Sequence, residues 1–155
     1  MKALTLWRPY SCAIVRGPKG IENRGWLFSR AMLGETIAIH GGRKFSRDSA
    51  REIAASGLWP GVPLSSDASP EGVVGVARLA GAIDVNEDGD PFVVFGLPGV
   101  HVDVDAEWWS GDGPGWVLDQ RRAIATPVPC AGALGLWRLP LAVEARVREQ
   151  LGGAP

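Results

Sequence analysis

Apolar and polar positions along the chain mark out a set of short strands and three helices. Residues 35–41 (ETIAIHG) show the clearest period of two, with Ile37 and Ile39 on one face and Thr36, Ala38 and His40 on the other. Residues 3–7 (ALTLW) predict an earlier strand. Residues 21–26 (IENRGW) predict another, leading out of the turn GPKG. The most apolar strand is 72–83 (GVVGVARLAGAI), whose interior glycines call for curvature or close backbone approach. PFVVF inside the turn-rich stretch 86–115, then 115–119 (GWVLD) and 131–139 (AGALGLWRL), complete the strands. One helix is predicted over 9–16, opened by Pro9 and closed by Gly17. A second spans 47–56, capped by Ser46, with a stripe of Ala50, Ile53 and Ala54 and a stop at Gly57. Pro140 opens a third, which places Val143, Val147 and Leu151 on one face. Between them, 57–71 (GLWPGVPLSSDASPE) is a loop.

This order lacks regular strand–helix alternation and internal repeats. It predicts an α+β fold in which a small β-barrel, closed or partly open, carries its helices on the outside. Its 155 residues suit a single domain, 1–155, with a frayed tail from about residue 152. No apolar run reaches membrane-spanning length, and the opening MKALTLWRPY does not read as a signal peptide. Cys12 and Cys130 form no disulfide framework, so two thiols in a reducing cytoplasm are expected. The net charge is −1 but unevenly spread. Residues 1–60 hold ten Lys and Arg against four acids, and the remainder six against thirteen. Such asymmetry predicts a one-sided electropositive surface, or a solvated face with no partner.

The segment GPKGIENRGW has the most chemical content. If 21–26 is extended, Glu22, Arg24 and Trp26 share one face, and Lys19 reaches back toward it from the turn. An aromatic plane stacks a base, a guanidinium clamps a phosphate or base edge, and a carboxylate accepts from an exocyclic amine. The competing reading is a surface Glu–Arg pair beside a core tryptophan. Trp7 and Arg8 precede a helix N-terminus. Trp7 suits the core or a pocket equally, and Arg8 suits solvent or an anion. His40, Arg43 and Lys44 end the alternating strand and enter a Gly-Gly turn, and that turn is a candidate for phosphate contacts. His40 is a phosphate donor or proton-transfer group, or else structural. Trp116 follows a Gly-Pro-Gly turn and is expected to line an opening, whereas Trp137 is expected in the core. Trp108 and Trp109 are adjacent, so one of them is exposed. No metal-ligand spacing, nucleophile triad or nucleotide-binding glycine loop occurs, so no metal or cofactor is expected.

The opening ALTLWRPYSCAIVRGPKGIENRGW resembles the signature of the ASCH (activating signal cointegrator homology) domain. That pattern, G-x-K-x-x-E-x-R-x-W, is read on Gly17, Lys19, Glu22, Arg24 and Trp26. ETIAIHGGRK, GVVGVARLAGAID and GPGWVLDQRRAIATPVPCAGALGLWRL continue the resemblance in family order, to about residue 140. Tyr10 stands where the family shows tryptophan, and FSRAML replaces a Thr-Pro-Tyr-Arg-Gly-like turn. The resemblance implies a PUA-like β-barrel with a cleft between barrel and helices. In that cleft Trp7, Arg8, Lys19, Glu22, Arg24, Trp26, His40, Arg43, Lys44 and Trp116 bind a single-stranded, flipped-out or terminal nucleotide of RNA or DNA. The protein is then a cytoplasmic monomer with no membrane partner. The alternative class is a small hydrolase, similar to ASCH-type amide hydrolases acting on acylated cytidine or to ribonucleases. Lys19 matches the lysine of those hydrolases, Glu22 stands at their threonine, and Glu107 and Asp105 are candidates for their distant carboxylate. Glu22 beside Lys19 favours the charged ammonium, which ranks binding above catalysis.

Overall fold

A computed structural model describes residues 1–104 and 106–152. The strands are β1 (Lys2–Arg8), β2 (Ile21–Asn23), β3 (Thr36–Phe45), β4 (Gly72–Val85), β5 (Pro91–Gly96), β6 (Gly115–Val128) and β7 (Leu136–Arg138). The α-helices are α1 (Tyr10–Val15), α2 (Arg47–Ser56) and α3 (Leu141–Gln150), and a 3-10 turn spans Arg30–Met32. The strands form one seven-stranded mixed sheet in the order β2-β6-β4-β3-β1-β7, with β5 on β4. The α+β class expected from the sequence is the class observed. The chain divides into two compact units that interleave in sequence. Unit 1 holds Met1–Pro18, Thr36–Ala77 and the residues from Arg121 on, and unit 2 holds Lys19–Glu35 and Arg78–Gln120.

In unit 1, β1 lies parallel to β3 and antiparallel to β7. Ala3 and Ala38 meet Val73, Val76, Ile124, Val128 and Leu139 in a core onto which α3 lays Val143, Val147 and Leu151. That is the face the 3.6-residue period predicts. Helix α1 packs on β1 and β3 with Ser11–Val15 buried. Helix α2 has the ends its cap residues specify. The Ser46 hydroxyl accepts from the Ser49 N–H at 3.2 Å, and Gly57 terminates the helix at φ 79°. Gly75 explains one interior glycine of β4. A Cβ there would collide with the Arg122 carbonyl oxygen and lie 2.8 Å from Val15 Cγ1, so only glycine lets the backbones approach.

Unit 2 is built on a smaller core of Ile21, Ala80, Ile83 and Val117, flanked by Val100, Val102, Trp108 and Trp109. Here β2 runs antiparallel to β6, and β5 antiparallel to β4.

Several boundaries differ from the sequence reading. Strand β2 stops at Asn23 instead of Trp26. Its partner β6 begins at Gly115 after Pro114, which has no N–H to extend the ladder, although the Arg24 N–H still reaches the Pro114 carbonyl at 2.9 Å. Gly41 and Gly42 lie within β3, not in a turn, because β3 continues to Phe45. Strand β6 runs on to Val128 through RRAIATPV, where only Ile124 and Val128 are buried and the polar remainder hides the strand. Residues 131–135 are not a strand. They are largely exposed, and β7 begins only at Leu136. Pro9 stands at the N-cap of α1 and not in its first turn, and Arg16 takes the C-cap in place of Gly17. The end of the tail expected to fray, 153–155, lies outside the described residues.

Candidate functional site

In unit 2 the turn before β2 and the strand itself bring Lys19, Glu22 and Arg24 into one ion-pair chain. Lys19 Nζ lies 3.4 Å from Glu22 Oε2, and Arg24 Nη1 lies 3.7 Å from Glu22 Oε1. Lys19 also donates to the Ile21 carbonyl. The chain is graded in depth. Lys19 and Glu22 are buried at 2% and 6% exposure, while the Arg24 side chain is 24% exposed. Burial pushes the Lys19 ammonium below its ordinary range even though Glu22 opposes that shift. Burial likewise pushes the Glu22 carboxyl up, against the opposing pull of Lys19 and Arg24. Glu22 favours the charged ammonium, as expected, while desolvation pulls the Lys19 pKa the other way and is the larger influence.

Trp26 follows in the loop after β2 and is 38% exposed. It meets Trp116 edge-on at 4.6 Å, and the Arg24 guanidinium lies 5.8 Å from its ring centroid. Trp116 does not line an opening. It is fully buried, meets Phe28 edge-on at 5.2 Å and donates its indole N–H to the Trp26 carbonyl at 2.8 Å. It therefore fixes the backbone from which Trp26 projects. Period-two spacing still places Glu22 and Arg24 together, and Trp26 arrives through this hydrogen bond instead of strand geometry.

Two participants escaped the sequence reading. Trp108 lies beside Lys19, with Nζ 5.4 Å from its ring centroid. Asn23 ties that segment to β2. Its Nδ2 donates to the Trp108 carbonyl at 2.9 Å, and its Oδ1 accepts from the Ser110 N–H at 3.0 Å. The adjacent tryptophan pair was the available signal for Trp108, and nothing in the sequence singles out Asn23. Glu107 lines a separate open cavity of about 350 Å³ with Val85, Pro91, Val104 and Trp109. Asp105 lies outside the described residues.

The remaining candidates belong to unit 1. Trp7 is 54% exposed, and Lys44 Nζ sits 3.2 Å from its ring centroid. Arg43 is exposed beside it in sequence. Arg8 faces neither solvent nor a helix N-terminus. Its buried guanidinium donates to the carbonyls of Ser66 (3.1 Å), Ser69 (2.6 Å) and Arg43 (2.6 Å), and meets Glu71 at 3.1 Å. His40 is buried too, with Nε2 3.1 Å from the Cys130 carbonyl oxygen and its ring edge-on to Trp137. Trp137 is half-buried against the α3 core and donates to Thr5 Oγ1 at 3.0 Å. Among the described residues no group of three or more His, Cys, Asp or Glu side chains is placed to hold a metal ion, and no helix is long and apolar enough to cross a membrane.

No family model matches the chain, and no curated protein matches it. Among solved structures it is similar to an ASCH protein. That structure is a crystal structure of a tyrosine-to-phenylalanine mutant of ZmASCH from Zymomonas mobilis, at 14% identity over 96% of each chain and a TM-score of 0.47.

Proposed function

We propose that this protein is a nucleic-acid-binding module that takes one unpaired or terminal base at Trp26. The observation that carries this reading is the pairing of an exposed indole with a part-exposed guanidinium, set above a buried carboxylate. Trp26 supplies the stacking face, Arg24 the bidentate donor, and Glu22 the acceptor beneath them. Lys19 and Trp116 hold that arrangement from below. In unit 1, Trp7, Arg43 and Lys44 are the exposed candidates for strand contact, and Arg8 and His40 act on position only. The charge balance agrees with a base-reading role for unit 2, which holds four Lys and Arg against eleven Asp and Glu. Such a unit does not gather phosphates. Fluorescence anisotropy with short labelled RNA and DNA single strands tests this. Binding is expected, and Arg24→Ala or Trp26→Ala should weaken it about tenfold, whereas Arg146→Ala should not. A folded protein that binds neither strand would refute the reading.

A second reading rests on the shifts at Lys19 and Glu22. A lysine pushed down and a carboxyl pushed up, in contact and shielded from water, form a proton-exchanging pair suited to amide hydrolysis of an acylated nucleoside. Incubation with N4-acetylcytidine, followed by chromatography, tests it. If this reading holds, the wild type turns over and both Glu22→Gln and Lys19→Met lose about 10²–10⁴ in rate. Absence of turnover by the wild type leaves the binding reading alone.

A further inference from the structure

Strand β1 and strand β3 keep parallel register from Ala3↔Ala38 to Leu6↔Gly41, and then the register breaks. The next pair is Arg8↔Phe45, so Gly42, Arg43 and Lys44 stand opposite the single residue Trp7. A bulge of this kind bends one strand and re-aims its side chains. Here the Lys44 ammonium lies over one exposed indole, and Arg43, next to it in the bulge, is exposed as well. The bulge is fixed from beneath by the buried Arg8, whose guanidinium donates to the Arg43 carbonyl at 2.6 Å, while the Ser46 N–H closes its far end on the Arg8 carbonyl at 2.7 Å. Arg47, the first residue of α2, adds a third exposed cation within five residues. A large apolar ring left 54% exposed, with an ammonium over its face, is a preformed stacking surface whose occupant is a cation.

The charge of the unit says what replaces that cation. Unit 1 carries twelve Lys and Arg against six Asp and Glu, the reverse of unit 2. A polyanion with exposed π-faces fits both features at once.

We propose that the β1–β3 bulge is a second nucleotide site, in which an unpaired base stacks on Trp7 in place of the Lys44 ammonium while Arg43, Lys44 and Arg47 take the flanking phosphates. The inference builds on the nucleic-acid reading above. It implies that Arg8 is a positioning residue, since it touches no ligand and shapes the bulge.

Anisotropy titrations with fluorescein-labelled ten-nucleotide uridine and thymidine strands, at two salt concentrations, test the proposal. Trp7→Ala should weaken binding about 5- to 150-fold, the range of one lost base stack, and Trp7→Phe should restore most of it. Arg43→Ala and Lys44→Ala should each lower the slope of log affinity against log salt by about 0.7, one phosphate contact on a single strand. Trp26→Ala should leave residual binding that still depends on Trp7. If the wild type binds and Trp7→Ala binds equally well, the second site is overturned and the Trp26 reading survives. If the wild type binds no strand, both fall. Anionic phosphatidylserine vesicles form the control arm. Trp7-dependent binding to vesicles without binding to either strand would overturn the proposal in favour of a membrane surface.

Discussion

Replacing Glu22 by Gln keeps the side chain's shape and removes the charge facing Lys19. The cost follows from the geometry. Lys19 is 2% exposed, and Glu22 at 3.4 Å is its counter-charge. Without it the variant either keeps a buried ammonium that has lost its counter-charge or folds with Lys19 neutral. The second route sets a ceiling. Deprotonating a lysine of ordinary pKa 10.5 at pH 7 costs about 5 kcal/mol, at about 1.4 kcal/mol per pH unit. Breaking one side of a buried pair costs about 3–5 kcal/mol, which lies within that ceiling. The sign with pH is distinctive. If Lys19 folds neutral, the unfolded chain binds one more proton at every pH below 10.5, and the variant gains stability as pH rises. The deficit relative to wild type should therefore shrink as pH rises above 7, by about 1.4 kcal/mol per unit while Lys19 of the wild type stays protonated. Urea unfolding followed by far-UV circular dichroism at pH 7, 8 and 9 measures it. Lys19→Met combined with Glu22→Gln should recover much of the loss, because neither member of the buried pair then carries a charge. A variant as stable as wild type at pH 7 would show that the pair is not desolvated as described, and a deficit that does not change with pH would show that Lys19 keeps its charge without the carboxylate.

Three further substitutions test the scaffold. Gly75→Ala should destabilise by about 1–3 kcal/mol through collision with the Arg122 carbonyl and Val15, read as a fall in Tm. Gly25→Ala, with nothing within 4 Å of the added carbon, should stay within about 0.5 kcal/mol. Ser46→Ala should cost about 1 kcal/mol by removing the cap of α2, measured by the same denaturation.

What was legible in the sequence was what depends on local chemistry. Helix α2 is bounded by Ser46 and Gly57 because a hydroxyl cap and a left-handed glycine act within one turn. The grouping of Lys19, Glu22 and Arg24 was legible for the same reason, since it depends on the spacing of near neighbours in the chain. Depth was not legible. Nothing in the order of residues says that Trp116 is enclosed by Phe28 and Trp26, or that Trp7 stays exposed, because those outcomes depend on partners far along the chain. The GGRK segment misled for a related reason. Two glycines read as a turn, yet Gly41 lies in a strand at a place where a Cβ would stand 2.6 Å from the Pro70 carbonyl.

The Arg8 guanidinium also bears on the irregular segment 57–71. That stretch has the composition of a flexible linker, yet Val62 and Ser69 are buried within it, and Ser69 Oγ lies 3.4 Å from Cys12 Sγ. One side chain on β1 holds the carbonyls of Ser66 and Ser69, which lie 58 and 61 positions further along. Arg8 thus works as a non-covalent staple across a long loop, the task a disulfide performs in oxidised proteins, while both cysteines remain free thiols. A staple of hydrogen bonds resists reductants and yields to substitution. Lysine, a single point of charge, cannot reproduce a planar fork that reaches several carbonyls at once. Limited proteolysis would register the difference. The native segment should resist cleavage although its Pro, Gly and Ser content marks it as a cutting site, and an Arg8→Lys chain should be nicked there first.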